Sequence, residues 1–97
     1  MKIWIDDVRP APKGWFWSQT SRHAIRLLET IGDKIEEMSF DHDLGGDDTT
    51  IPVANLLERL AFEKKIHQIK WHIHSANPVG RANLERALNS ADRYWER

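Results

Sequence analysis

Four short apolar segments, each followed by polar residues, constrain the fold of this chain more than any other feature. They are KIWI at 2–5, WFWS at 15–18, EEMSF at 36–40 and IKWHIHS at 69–75. Runs of this length that are rich in β-branched and aromatic residues are typical of buried strands. We therefore predict four strands, and in the last of them Lys70, His72 and His74 share the more polar side.

Between and after these segments, apolar residues recur at the spacing of amphipathic helices. A first helix is predicted after Thr20 or Ser21, a second is opened by Pro52, and a third follows Asn77. Their predicted buried faces are Ala24, Leu27, Leu28 and Ile31; Val53, Leu56, Leu57 and Leu60; and Leu84, Ala87, Leu88, Ala91 and Trp95. Strands that alternate with such helices indicate an α/β domain with a four-stranded, mainly parallel sheet and about three helices. The length of 97 residues, of which 40% are hydrophobic, suits a single domain over 1–97.

The composition excludes several classes of function. The chain has no cysteine, so it has neither a disulfide framework nor a thiolate metal site nor a cysteine nucleophile. It lacks an apolar leader and any run of about 18 apolar residues, so we expect a cytoplasmic protein without a membrane partner. Fourteen Lys and Arg balance fifteen Asp and Glu, so direct binding of nucleic acid is not expected, except to an RNA end.

Polar clusters follow three of the predicted strands, at the point where each strand ends. Asp6-Asp7 follows the first strand, Asp41-His42-Asp43 the third, and His74-Ser75-Ala76-Asn77 the fourth. Ligands of open parallel sheets bind at the carboxyl ends of the strands, so the three clusters predict one site. We expect a small phosphate ester or nucleotide as its ligand.

Three carboxylates in that site, those of Asp6, Asp7 and Asp41, are candidate ligands for Mg²⁺ or Mn²⁺. Oxygen donors suit these hard cations, and the repulsion among three close anions favours a cation between them. An alternative is that Asp7 pairs with Arg9 while Asp41 caps the next turn. A calcium-binding EF-hand is excluded, because its twelfth position would be Pro52 in place of a bidentate Glu.

Candidate catalytic residues come from the same clusters. His42 and His74 could serve as general base and general acid on one phosphate, and Asp43 could orient one imidazole. The alternative is that both histidines are half-exposed surface residues, as we expect for His72. Candidate substrate-binding residues offer positive charge, short polar side chains or accessible backbone amides, namely Arg9, Gly45, Gly46, Ser75, Asn77 and Arg81. Trp4 and Trp71 are predicted to lie in the core.

Three motifs in this order resemble one known family: IWIDDVRPAPKGW, SFDHDLGG and HSANPVGRANLE. The chain is similar over nearly its whole length to a receiver-like family predicted to process cyclic phosphates in bacteria and their phages. The resemblance implies a trimmed receiver fold, related to flavodoxin-like sheets, with strand order 2-1-3-4 and strand four at an edge. It also implies a location in a bacterial cell or, for a phage protein, in an infected bacterium.

In ordinary receivers, positions matching Asp6, Asp7 and Asp41 hold Mg²⁺, and the last of these accepts a phosphoryl group. Ser75 matches the hydroxyl residue after the fourth strand. Two departures from that pattern are expected here: a fifth strand with its phosphate-binding lysine is absent, and only a Pro-rich loop separates the first two strands. Phosphoryl signalling through a stable aspartyl phosphate is therefore disfavoured.

The resemblance implies a metal-assisted phosphoesterase, a hydrolase acting on a nucleotide 2′,3′-cyclic phosphate or an ADP-ribose cyclic phosphate. Such an activity would belong to RNA repair, to ADP-ribose metabolism or to conflict between phage and host. Two alternatives stay open at the level of sequence. One is a binding module that captures a nucleotide without turnover, and the other is an interaction domain that keeps only the fold.

Overall fold

The computed structural model describes residues 1–97 as alternating strands and helices. The strands are β1 (Lys2–Ile5), β2 (Phe16–Ser18), β3 (Glu37–Phe40) and β4 (Lys70–Ile73). The α-helices are α1 (Ser21–Ile31), α2 (Ile51–Phe62) and α3 (Pro78–Trp95), and a short 3₁₀ helix spans Gly32–Lys34. Thr20 caps α1 by accepting a hydrogen bond from the backbone N–H of His23. Pro residues occupy the first turns of α2 and α3, where a missing N–H costs nothing.

The four strands form one parallel sheet in the order β2-β1-β3-β4. This confirms the predicted fold class, strand order and edge position of β4. All carboxyl ends of the strands consequently lie at the same edge of the sheet.

The connection between β1 and β2 contains no helix, as predicted. The chain moves from β1 to β2 in one direction across the sheet and then from β2 to β3 to β4 in the other. Because parallel crossovers are right-handed, the first connection crosses one face and the two helical connections cross the opposite face. One face of the sheet is therefore covered by helices and the other only by the loop at 6–15.

The helix-covered face contains the hydrophobic core. From the strands, Ile3, Ile5, Met38 and Phe40 are fully buried and pack in one cluster with residues of all three α-helices. The helical members of that cluster are Ala24, Leu28, Val53, Ala54, Leu57, Leu84, Ala87 and Leu88. Trp71 packs against it from β4, as expected. None of the helices is both long enough and apolar enough to cross a membrane.

The helix-free face has aromatic and polar side chains. Trp4 lies here rather than in the core, so its predicted position was wrong. It contacts Trp15 edge-on, with ring centroids 6.0 Å apart, and Trp15 in turn lies 6.4 Å from the ring of His72. The loop that contains Trp15 thus partly replaces the helix that this face lacks.

Candidate functional site

Backbone pairing continues one residue beyond the carboxyl ends of three strands. The N–H of Asp6 donates to the carbonyl of Ser18, that of Asp41 to Ile5, and that of His74 to Phe40, with N···O distances between 2.9 and 3.1 Å. Asp6, Asp41 and His74 therefore stand level with one another. Since side chains alternate between faces along a strand, all three point to the same side as the helix-free face.

Asp6 is the most extensively hydrogen-bonded carboxylate of the site, and it is 2% exposed. Its Oδ1 accepts the backbone N–H groups of Val8 at 2.9 Å and Arg9 at 2.8 Å. Its Oδ2 lies 3.0 Å from Nε2 of His74. Burial by itself would raise the pKa of Asp6, but the two backbone hydrogen bonds and His74 together hold it below its usual value. Asp6 is therefore ionised and fixed in orientation.

The pKa of Asp41, the residue that follows β3, is shifted in the opposite direction. Burial raises its pKa, and the negative charges of Asp6 and Asp7 raise it further against the one hydrogen bond from the backbone N–H of His42. A positive charge placed near the carboxylate of Asp41 would therefore relieve this repulsion.

Oxygen atoms from Asp6, Asp7 and Asp41 all lie within 4.8 Å of one another. Asp7 makes no ion pair with Arg9, so that alternative does not account for its carboxylate. Three oxygen donors converging in this way fit a hard divalent cation such as Mg²⁺ or Mn²⁺, which keeps several waters and needs only a few protein ligands. The residues present therefore fit the metal that the sequence suggests.

The four carboxylates of the acidic segment at 41–48 have different surroundings. Asp41 and Asp43 line a cleft, whereas Asp48 accepts hydrogen bonds from the backbone N–H and hydroxyl of Ser21 at the start of α1. Asp47 is exposed. Only part of the cluster that dominates the sequence therefore belongs to the site.

Gly45 brings this loop close to the first carboxylate pair. It has a φ of +89°, in the region that favours glycine, and an added Cβ would lie 3.2 Å from Oδ2 of Asp7. Gly46 also has a positive φ, of +55°, but an added Cβ there would meet nothing. Of the two predicted glycines, Gly45 is therefore the one that the cleft requires.

The carboxylates line an open cleft of about 380 Å³. Its walls are formed by Asp6, Asp7, Val8, Arg9, Asp41, Asp43 and Gly45. Arg9 is exposed and is the one cation among them. A phosphate in this cleft could meet both a guanidinium and a cation held by the carboxylates, and Arg suits the forked geometry of phosphate oxygens.

His74 does not line the cleft but lies beside Asp6, with both ring nitrogens engaged. Nε2 bonds to Asp6, and Nδ1 lies 2.8 Å from the hydroxyl of Ser39, which is 3% exposed. Trp4 stacks on the ring at 3.8 Å between centroids and 5° between planes. Burial lowers the pKa of His74 against the opposing influence of Asp6. Both nitrogens of the imidazole and one of its faces are thus engaged.

His42 points away from the three carboxylates, toward the first turn of α3. Its Nδ1 lies 3.0 Å from Oδ1 of Asp43, and its side chain is 14% exposed. A Cβ added to Gly80 would lie 2.3 Å from Cγ of His42. The imidazole therefore occupies space that only a glycine leaves open, and it orients Asp43, whose side chain is 67% exposed at the rim of the cleft.

The remaining predicted ligand-binding residues form the start of α3. Asn77 caps this helix by accepting hydrogen bonds from the N–H groups of Val79 and Gly80, and its amide reaches Asp43 at 3.5 Å. The hydroxyl of Ser75 accepts the N–H of Asn77. Arg81 donates to the carbonyl of Ile73 and pairs with Glu85 at 3.1 Å, so it is directed away from the cleft.

Sequence analysis missed several residues that shape this site. Ser39 and Trp4 support His74, Gly80 makes room for His42, and the buried Thr50 donates to the carbonyl of Asp41. Thr50 could have been noticed as a polar residue at the start of a helix. The other three contact partners that are distant along the chain, and no local pattern indicates them.

A family model described as "Cyclic-phosphate processing Receiver domain" matches residues 1–90. No curated protein and no solved structure matches the chain.

Proposed function

Since the chain belongs to the cyclic-phosphate processing receiver domain family, we propose that it is a metal-assisted phosphoesterase that opens a cyclic phosphate. The observation that supports this most strongly is the convergence of oxygens from Asp6, Asp7 and Asp41 within 4.8 Å of one another, in a cleft that also has Arg9. A nucleotide 2′,3′-cyclic phosphate or an ADP-ribose cyclic phosphate is the proposed substrate.

In this proposal the three carboxylates hold Mg²⁺ or Mn²⁺. The cation would neutralise charge on the phosphate oxygens and so help nucleophilic attack at phosphorus. Arg9, which lines the same cleft, would bind the phosphate through its guanidinium. The chain's own carboxylates thus serve the substrate indirectly, because without a cation they would repel it.

Asp43 and His42 are the proposed proton-accepting pair. Water attacks phosphorus, one P–O ester bond opens, and Asp43 takes the proton of the water while the departing alkoxide takes a proton from solvent. The imidazole of His42 orients Asp43 by donating from Nδ1. Asp43 is suited to this role because its carboxylate lines the cleft and is exposed to solvent.

Phosphorus NMR tests this function directly. The two substrates are incubated with the protein with and without Mg²⁺ or Mn²⁺, and we expect metal-dependent conversion of the cyclic ester to a monoester. Asp43→Asn should lower the rate about 10²–10⁴-fold, the usual contribution of a general base. The matched control is Asp47→Asn, because Asp47 is exposed in the same loop outside the cleft.

Binding of Mn²⁺ provides a second measurement that needs no substrate. A cation at about 100 times its dissociation constant should stabilise the folded protein by about 2.7 kcal/mol, and Asp41→Asn should remove that stabilisation. Absence of both metal binding and turnover in the wild-type protein would refute the proposal.

Capture of a nucleotide without turnover is a second candidate. It is favoured by the engagement of both nitrogens of His74, which leaves no histidine beside the carboxylates to protonate the departing alkoxide. Metal-dependent binding of a cyclic nucleotide, measured by calorimetry and accompanied by an unchanged phosphorus spectrum, would establish capture in place of hydrolysis.

A further inference from the structure

Three side chains, those of Ser39, Trp4 and Asp6, surround the imidazole of His74 at the edge of the sheet. The hydroxyl of Ser39 lies 2.8 Å from Nδ1 of His74, and Nε2 of His74 lies 3.0 Å from Oδ2 of Asp6. Trp4 stacks on one face of the imidazole. These contacts join β1, β3 and the residue after β4, so they bridge three strands.

The chemistry of the partners defines the direction of each hydrogen bond. An ionised carboxylate only accepts, so Nε2 of His74 must carry the proton that it shares with Asp6. With a single ring proton placed on Nε2, Nδ1 is an acceptor and the hydroxyl of Ser39 is its donor. The chain of donors runs from Ser39 through His74 to Asp6, which fixes both the tautomer and the plane of the imidazole.

Asp6 has little rotational freedom as a result. Its Oδ1 is held by the N–H groups of Val8 and Arg9, and its Oδ2 by His74. One remaining lone pair of Oδ2 is available for a further partner. A carboxylate held in this way can present that lone pair in one direction only.

We propose that His74, fixed by Ser39 and Trp4, is a positioning residue that orients Asp6 toward the cation. This inference rests on the proposed function, which makes Asp6 a metal ligand. It assigns His74 no contact with the substrate and no transfer of a proton to it. Residues that orient metal ligands through hydrogen bonds typically change metal affinity about 10–100-fold when they are replaced.

Trp4 and its neighbour Trp17 hold the backbone around this carboxylate. Nε1 of Trp4 donates to the carbonyl of Arg9 at 3.0 Å, and Nε1 of Trp17 donates to the carbonyl of Asp6 at 2.7 Å. Two carbonyls of the segment that follows β1 therefore accept hydrogen bonds from tryptophans of the helix-free face. His74 bonds to the carboxylate of Asp6. Tryptophan suits this role because its apolar ring packs while its N–H bonds.

The test compares two amide replacements of one histidine. In His74→Gln the amide nitrogen can reach the position of Nε2 and donate to Asp6, whereas in His74→Asn it reaches only the position of Nδ1, next to Ser39. The matched control is His72→Gln, because His72 lies two residues earlier on the same face and bonds to Glu37 instead. Thermal unfolding verifies that each variant is folded.

Two measurements are made on each variant, with Mn²⁺ as the probe. Calorimetry should show affinity about 10–100-fold weaker in His74→Asn, mostly restored in His74→Gln and unchanged in His72→Gln. Amide hydrogen exchange without metal should be faster at Val8 and Arg9 in His74→Asn alone, because a mobile Asp6 protects those amides less.

The outcomes separate the positioning role from the proposed function. Equal Mn²⁺ affinity and equal protection of Val8 and Arg9 in all folded variants would overturn the positioning role, while loss of binding in Asp41→Asn would still support the metal site. If the wild-type protein binds no Mn²⁺, the proposed metal site is refuted. The exchange of Val8 and Arg9 then decides by itself whether His74 orients Asp6.

Discussion

The two faces of the sheet differ in what they contribute to the molecule. On the helix-covered face, Ile3, Ile5, Met38 and Phe40 are fully buried against three helices. On the other face, His74 bonds to Ser39 and to Asp6, and Trp4 stacks on its ring. Apolar burial on one face stabilises the fold, and directional contacts on the other orient the edge of the cleft. Because no helix lies between β1 and β2, the helix-free face has room for these contacts of His74.

Replacement of Phe40 by Ala should have the largest effect on stability, because this is a fully buried aromatic residue of the helix-covered face. We expect a loss of about 3–5 kcal/mol in the free energy of unfolding, measured with urea. If the two faces have separate roles, Mn²⁺ affinity in the fraction that remains folded should change little. A loss of Mn²⁺ affinity as large as that expected for His74→Asn would contradict the separate roles of the two faces.

Gly80→Ala tests the junction between the helix-covered face and the cleft. The added methyl group would lie 2.3 Å from Cγ of His42, so the imidazole or the first turn of α3 must move. Overpacking of this kind costs about 1–3 kcal/mol. Gly46→Ala is the control, because it adds a methyl group to a glycine with no atom within 4 Å, although its positive φ adds some strain.

The double variant His42→Ala/Gly80→Ala distinguishes a steric effect from a loss of helix geometry. If the clash with His42 is the cause, the cost of Gly80→Ala should largely disappear once the imidazole is removed. An undiminished cost would indicate that the contact with His42 is not what requires glycine at this position.

Much of this architecture could be predicted from the sequence, because it depends on local patterns. The apolar runs at β1, β3 and β4 and the turn residues between them are sufficient for strand order when combined with the family resemblance. They also predict that Asp6, Asp7 and Asp41 meet at one edge. These features follow from the direction of parallel strands and do not depend on the packing of individual side chains.

The roles of the histidines could not be predicted, because their partners are distant in sequence. Ser39 and Asp6 are 35 and 68 residues from His74. A pattern that places His74 at a strand end is compatible with a general acid, a surface residue or a positioning residue. Trp4 was likewise predicted to lie in the core. The sequence of a short apolar strand does not show whether helices cover both faces of the sheet or only one.

Asp41→Asn should have a smaller effect and the opposite sign. Burial and the charges of Asp6 and Asp7 raise the pKa of Asp41, so its ionised form destabilises the metal-free protein at neutral pH. Removal of that charge should raise the free energy of unfolding by about 0.5–2 kcal/mol, as for other relieved repulsions. The measurement is thermal unfolding in EDTA at pH 7, and a lower midpoint in the variant would contradict the assigned repulsion.

The smallest effect is expected at the amino end of the helix-free face, where Glu37 pairs with His72 and with Lys2. The hydrogen bond from His72 is the main cause that holds the pKa of Glu37 below its ordinary value of 4.5. A carboxyl group with a lowered pKa stabilises the fold above its unfolded pKa, and this contribution is lost as the pH falls through the folded pKa. In Glu37→Gln the stability between pH 3 and 6 should therefore vary slightly less with pH than in the wild type. Mn²⁺ affinity should not change, because Glu37 lies at the end of β3 that is distant from the cleft. A changed affinity would show that residues along the whole helix-free face help to orient Asp6.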